Sequence, residues 1–158
     1  MRIKSLQDED FVNYKKPSMF ICTASCGGKC CKELDLPLSI CQNDGLRSCP
    51  SSQYDDIKII FRYLSNPITK AIVFGGLEPF EQYDELADFI QLFRNYSDDD
   101  VVIYTGYNEN ELKEQIKELS QYGDVIVKFG RFVPDQKSHY DEILGVNLVS
   151  DNQYAKRI

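Results

Sequence analysis

From residue 18 onward, short blocks of consecutive apolar residues alternate with longer stretches in which apolar residues return every three or four positions. Ser18 to Thr23 (SMFICT) opens the series as a candidate strand. Residues 71–74 (AIVF), 101–104 (VVIY) and 125–127 (VIV) are too short for buried helices and rich in β-branched side chains, so each is predicted to be a strand. Between them, Ile57, Ile60, Phe61 and Leu64 recur at helical spacing up to Asn66–Pro67, and Tyr83, Leu86, Phe89, Ile90 and Phe93 do the same. A third helix is predicted behind Asn108 and Glu111, which are spaced as a capping box, with Leu112, Ile116 and Leu119 as its apolar stripe. Gly75–Gly76, Thr105–Gly106 and Gly130 stop the three later strands. Strands that are apolar throughout and alternate with helices imply the α/β class: a parallel sheet with covering helices. Gly145-Val-Asn-Leu-Val is a candidate for one further strand. Residues 1–17 are polar, end at Pro17 and read as an N-terminal arm, with residues 18–158 as a single domain.

This pattern leaves residues 24–50 without regular structure. They are rich in Cys, Gly, Pro, Ser and Asn, and a loop this long inside a compact domain is usually functional or disordered. All six cysteines of the chain fall between Cys22 and Cys49. The first ten residues are charged and lack the apolar core of a signal peptide, so a cytoplasmic location is expected. Structural disulfides are rare there, and thiols concentrated in one loop point instead to a metal site. Zinc sites usually use two well-separated Cys/His pairs, whereas only one tidy pair is present here and the lone histidine, His139, lies far away. Soft thiolates on a loop also suit an iron–sulfur cluster. Spacing alone therefore leaves an iron–sulfur cluster, zinc and unliganded thiols open, in that order.

In parallel α/β sheets, ligands bind at the carboxyl ends of the strands. The cysteine loop, Gly75–Gly76 and Thr105–Gly106 all fall at such ends, which predicts one active-site edge. The formal net charge of −7 argues against a nucleic-acid partner, because phosphate neutralisation needs Lys and Arg. No apolar run approaches the ~20 residues of a membrane span. Lys29 and Arg47, two basic residues of the loop, read as solvated surface charges.

Cys26-x3-Cys30, followed by Cys41-Gln-Asn43, resembles the cluster motif of radical S-adenosylmethionine enzymes, Cys-x3-Cys-x2-Cys, with the Asn that commonly follows the third cysteine in activating enzymes. Ten residues rather than two separate Cys30 from Cys41, which implies an insertion that folds back on itself. Cys22-x3-Cys26 is a rival first pair, and Cys31 a rival for Cys30. Gly75-Gly-Leu-Glu-Pro-Phe-Glu-Gln82 is similar to the family's Gly-Gly-Glu-Pro-x-x-Gln, with Leu77 inserted. Ile103-Tyr-Thr-Gly-Tyr107, Asp124-Val-Ile-Val-Lys-Phe-Gly130 and Ser150-Asp-Asn-Gln153 resemble segments of anaerobic ribonucleoside-triphosphate reductase activating proteins.

The resemblance implies a reduced, partial (β/α) barrel and a 4Fe-4S cluster held by Cys26, Cys30 and Cys41. It places S-adenosyl-L-methionine against Asn43, Gly75, Gly76, Glu78 and Thr105. It implies a glycyl-radical enzyme, an anaerobic ribonucleotide reductase, as protein substrate, and a flavodoxin- or ferredoxin-type electron donor.

Overall fold

A computed structural model describes residues 1–158. Nine strands and five helices follow in chain order: β1 (Arg2–Asp10), β2 (Ser18–Thr23), α1 (Lys29–Glu33), α2 (Asp44–Ser48), β3 (Ser52–Gln53), α3 (Asp56–Leu64), β4 (Ala71–Gly75), α4 (Tyr83–Phe93), β5 (Asp100–Tyr104), α5 (Lys113–Leu119), β6 (Val125–Phe129), β7 (His139–Asp141), β8 (Val146–Leu148) and β9 (Tyr154–Arg157). Seven strands form one sheet in the order β3-β1-β2-β4-β5-β6-β9, and β7–β8 make a separate hairpin.

The four expected strands β2, β4, β5 and β6 are parallel nearest neighbours. Each crossover steps one place in the same direction. Because such crossovers are right-handed, their helices gather on one face of the sheet. Residues of β4, β5 and β6 alternate accordingly. Ile72, Phe74, Val101, Ile103, Val125 and Val127 pack with the inner residues of α3, α4 and α5. Ala71, Val73, Val102 and Ile126 face the other way, where no helix lies, and meet Tyr14, Leu144 and Leu148. This second face frames the candidate site.

The fully parallel sheet and the N-terminal arm both need correction. Most of the arm is β1, which pairs antiparallel with β2, and the opposite edge is closed by β9, antiparallel to β6. The sheet is therefore mixed, with a parallel centre. Among the residues of β1, Ile3 is fully buried, while charged residues carry much of the rest, as suits a strand near a sheet edge. The 145–149 segment does contain a strand, β8, but it belongs to the hairpin that caps the helix-free face.

The apolar stripe of α3 also differs from expectation. Ile59, Ile60 and Tyr63 turn inward, whereas Phe61 and Leu64 are exposed. Phe61 instead packs against Tyr96 with ring centroids 5.7 Å apart. The capping box at Asn108 and Glu111 is present, but it starts a single 3-10 turn, Glu109–Glu111, ahead of α5. No helix is long and apolar enough to cross a membrane.

Candidate functional site

On the helix-free face, the parallel register continues Phe20, Val73, Val102 and Ile126 into Cys22, Gly75, Tyr104 and Lys128. A cavity of about 340 Å³ opens at this end of the sheet. That volume lies within the range of small-molecule sites. Cys26, Cys30 and Cys41 all line it, and so do Asn43, Gly75, Gly76, Glu78 and Thr105. The structure thus brings every residue expected at the site to one cavity, although they lie as far apart as Cys26 and Thr105 in sequence. The rival thiols lie elsewhere. Cys22 is buried on β2, Cys31 is buried on α1, and Cys49 is exposed beyond α2.

The ten-residue separation of Cys30 from Cys41 is taken up by α1 and a turn at Leu38–Ile40, so the chain doubles back before Cys41. α1 is tied to the sheet by Arg131, whose guanidinium bonds Glu33 on α1 at 2.8 Å and both oxygens of Glu111 at 2.7 and 2.9 Å. Hydrogen bonds from Arg131, the largest cause, hold the Glu111 carboxyl well below the usual carboxylate range. Lys29 also bonds Glu111 and lies over the Tyr107 ring at 4.8 Å, so it is engaged rather than merely solvated. Arg47 departs further from the surface reading. It donates to the Cys26 carbonyl at 2.6 Å and to the Cys26 sulfur at 3.6 Å.

Gly76 makes the sharp turn after β4. Its φ of +77° is a left-handed value, and a Cβ there would sit 2.2 Å from the Cys22 sulfur. Only glycine meets both conditions without displacing β2. The adjoining Glu78 is buried, and its carboxylate accepts from the Thr105 hydroxyl at 2.7 Å, the Gly106 N–H at 2.9 Å and the Phe80 N–H at 3.1 Å. It therefore latches the end of β4 to the end of β5. Burial outweighs those three donors and pushes its carboxyl up to about 7. Burial likewise raises the Cys26 and Cys30 thiols. Asn43 begins α2 without making a side-chain cap, so its amide is not committed to the helix end.

Lys128 and Gln153 are among the cavity residues absent from the sequence-based set. Lys128, the fourth residue of β6, is 6% exposed and has one hydrogen-bond partner, the Gly130 carbonyl at 2.9 Å. Burial lowers its ammonium to about 8, against the opposing pull of Cys30 and Glu78. A lysine closing an otherwise apolar parallel strand was the available signal. Gln153 also lines the cavity. The Ser150-x-Asn-Gln153 segment fastens the adjoining loop: Ser150 donates to the Val133 carbonyl at 2.9 Å, Asn152 to that of Arg131 at 3.1 Å, and Gln153 to that of Gly130 at 3.4 Å.

No group of three His, Cys, Asp or Glu side chains closes on a point where a single metal ion would sit. The three thiols do share the lining of one cavity. Their chemistry is that of a cluster site: soft, half-buried sulfur donors, with an N–H from Gly28 at 3.4 Å and the Arg47 guanidinium both directed at the Cys26 sulfur. N–H···S bonds of this kind accompany iron–sulfur ligation. Comparison with known families agrees. Residues 21–154 match the family described as a 4Fe-4S single cluster domain, and the chain belongs to that family. No curated protein and no solved structure matches it. Membership favours the iron–sulfur reading over zinc.

Proposed function

We propose that this protein is a radical S-adenosylmethionine enzyme that installs a glycyl radical on a partner, an anaerobic ribonucleotide reductase. One observation carries the reading. Cys26, Cys30 and Cys41 share a single cavity with Gly75, Gly76, Glu78 and Thr105, at the carboxyl ends of four parallel strands. Successive one-step crossovers with all helices on one face are also what a partial (β/α) barrel requires.

In this reading Cys26, Cys30 and Cys41 hold the 4Fe-4S cluster and leave one iron without a protein ligand. When bound, the cluster supplies one electron to the sulfonium of S-adenosylmethionine, whose C5′–S bond breaks to give methionine and a 5′-deoxyadenosyl radical. The chemistry so supplied would convert a glycine of the partner to a glycyl radical, its Cα hydrogen passing to 5′-deoxyadenosine. The chain's own residues bind and orient. Glu78 uses three lone-pair sites internally, and a carboxylate offers about four, so one remains for the substrate ammonium. Lys128 has further N–H donors beyond the one given to Gly130 and suits the substrate carboxylate. Gly75 and Gly76 let the ligand approach the backbone, and Asn43, which also lines the cavity, offers its amide. A flavodoxin- or ferredoxin-type protein is the proposed electron donor.

The test is anaerobic reconstitution, followed by chemical reduction with S-adenosylmethionine and the reductase of the same source. Methionine and 5′-deoxyadenosine are expected in equal amounts, together with a glycyl-radical doublet by electron paramagnetic resonance. Cleavage without a doublet would remove the partner. An intact cluster with no cleavage would remove the enzyme.

A further inference from the structure

The third proposed ligand, Cys41, reaches the cavity from the far end of the insertion, where its only backbone tie to the preceding residues is its N–H to the Leu38 carbonyl at 3.0 Å. The fastening comes from beyond it. Arg47, on α2, turns back with its side chain only 19% exposed and donates to the carbonyl and the sulfur of Cys26. Arg47 lies six positions beyond Cys41, so these bonds tie the segment that follows Cys41 back to Cys26.

The surroundings are shaped to this side chain. Gly28 has φ +73°, and a Cβ there would lie 3.1 Å from one Arg47 amino nitrogen and 2.5 Å from Leu38. Lys4 of β1 bonds the carbonyls of Arg47, at 3.2 Å, and of Cys49, which pins the end of α2 to the sheet. The Arg47 Nε is buried with no hydrogen-bond partner, the nearest carboxylate oxygen being that of Asp44 at 3.5 Å. A buried guanidinium N–H left unmet calls for a partner, and the same guanidinium already faces the Cys26 sulfur.

We propose that Arg47 is the clasp of the cluster loop: its guanidinium ties α2, just beyond Cys41, to Cys26, keeps the two ends of the loop in register, and raises the reduction potential of a cluster held there. The inference rests on the ligand set given above. Its electrostatic half follows from charge. Reduction adds an electron to an already anionic thiolate-bound cluster, and a fixed cation beside the Cys26 sulfur stabilises the reduced form more than the oxidised one. Its geometric half follows from the planar guanidinium, which offers several N–H groups in a fixed fork, whereas an ammonium is a single point.

The experiment compares wild type, Arg47→Lys, Arg47→Gln and Cys41→Ala after anaerobic reconstitution. Iron release to a chelator and the midpoint by potential-controlled electron paramagnetic resonance are the two readouts, with thermal melting of the cluster-free proteins as a check on folding. For Arg47→Gln, the ratio of reduced to oxidised cluster at a fixed potential should fall about tenfold, a midpoint drop of ~59 mV for one electron. Arg47→Lys should keep a midpoint near wild type, because the charge remains, yet release iron faster, because the bridge is lost. Equal midpoints and equal release in wild type and Arg47→Gln overturn the proposal. If Arg47→Gln holds no cluster, Arg47→Lys decides: faster release supports the clasp and a wild-type rate overturns it. Retention of iron by Cys41→Ala would instead show that the ligand set is wrong, a separate failure.

Discussion

Alanine at Cys41 should leave the fold intact and remove most of the bound iron, together with all S-adenosylmethionine cleavage. Cys41 is half-buried at the cavity wall and lies on no strand, so its loss leaves the sheet and its helical face untouched. Its sulfur, by contrast, is one of only three that line the cavity. Loss of groups that merely orient metal ligands typically costs 10- to 100-fold in affinity, and loss of a ligand should exceed about tenfold. Cys26→Ala and Cys30→Ala should behave alike. Cys49→Ala should keep its iron and its absorbance near 400 nm, since that thiol is exposed and outside the cavity. Iron and sulfide analysis after anaerobic reconstitution reads the outcome. A dispensable Cys41 beside an essential Cys22 or Cys31 would require a different ligand set.

Why the cavity could be anticipated, and its fastenings could not, comes down to how far each signal travels along the chain. β2, β4, β5 and β6 are buried on both faces, so their sequences are unbroken apolar runs that end in glycine or a turn, and each is readable from a few residues. Once those strands are parallel neighbours, their ends must converge, which brings Gly75, Gly76 and Thr105 to the cysteine loop. β1 gives no such signal. It lies toward the sheet edge, where charged residues are tolerated and even protective, and only its pairing with β2 marks it as a strand. β9 is hidden for the same reason, with Ala155 its only buried residue.

The fastenings depend on contacts between distant segments. Arg47 meets Cys26 across 21 positions, and Arg131 meets Glu33 across 98. Nothing near either arginine in sequence distinguishes it from a surface charge. Glu78 is an intermediate case. Its place after Gly76 predicted that it would face the site, but its bonds to Thr105 and Gly106 required β4 and β5 to be adjacent.

Those bonds make the pH dependence of stability a sharp test of the Glu78 latch. The cluster-free protein should lose stability between about pH 5 and 7.5, and Glu78→Gln should flatten that slope. Burial pushes the Glu78 carboxyl from 4.5 up to about 7, against the lowering influence of its three hydrogen-bond donors. The folded state then binds this proton more tightly than the unfolded chain does. Its stabilising contribution is complete below the ordinary carboxylate range and is lost as pH rises through the folded value near 7. A rise from 4.5 to about 7 corresponds to a loss on the order of 3 kcal/mol, large against the roughly 5–15 kcal/mol that holds a typical domain folded.

Other shifted groups act outside this window. Glu111 and Asp100 are held below the usual carboxylate range, so what they contribute is lost only in more acidic solution. Lys128, lowered to about 8 by burial, destabilises the folded state while charged, and stability returns only as pH rises beyond that value. Urea unfolding at pH 5 and pH 7.5 measures the difference directly, with m-values checking that both proteins unfold alike. In Glu78→Gln the amide cannot ionise, so the difference between the two pH values should shrink by most of that amount. An equal slope in both proteins would assign the proton to another group and leave the latch a neutral-pH carboxylate.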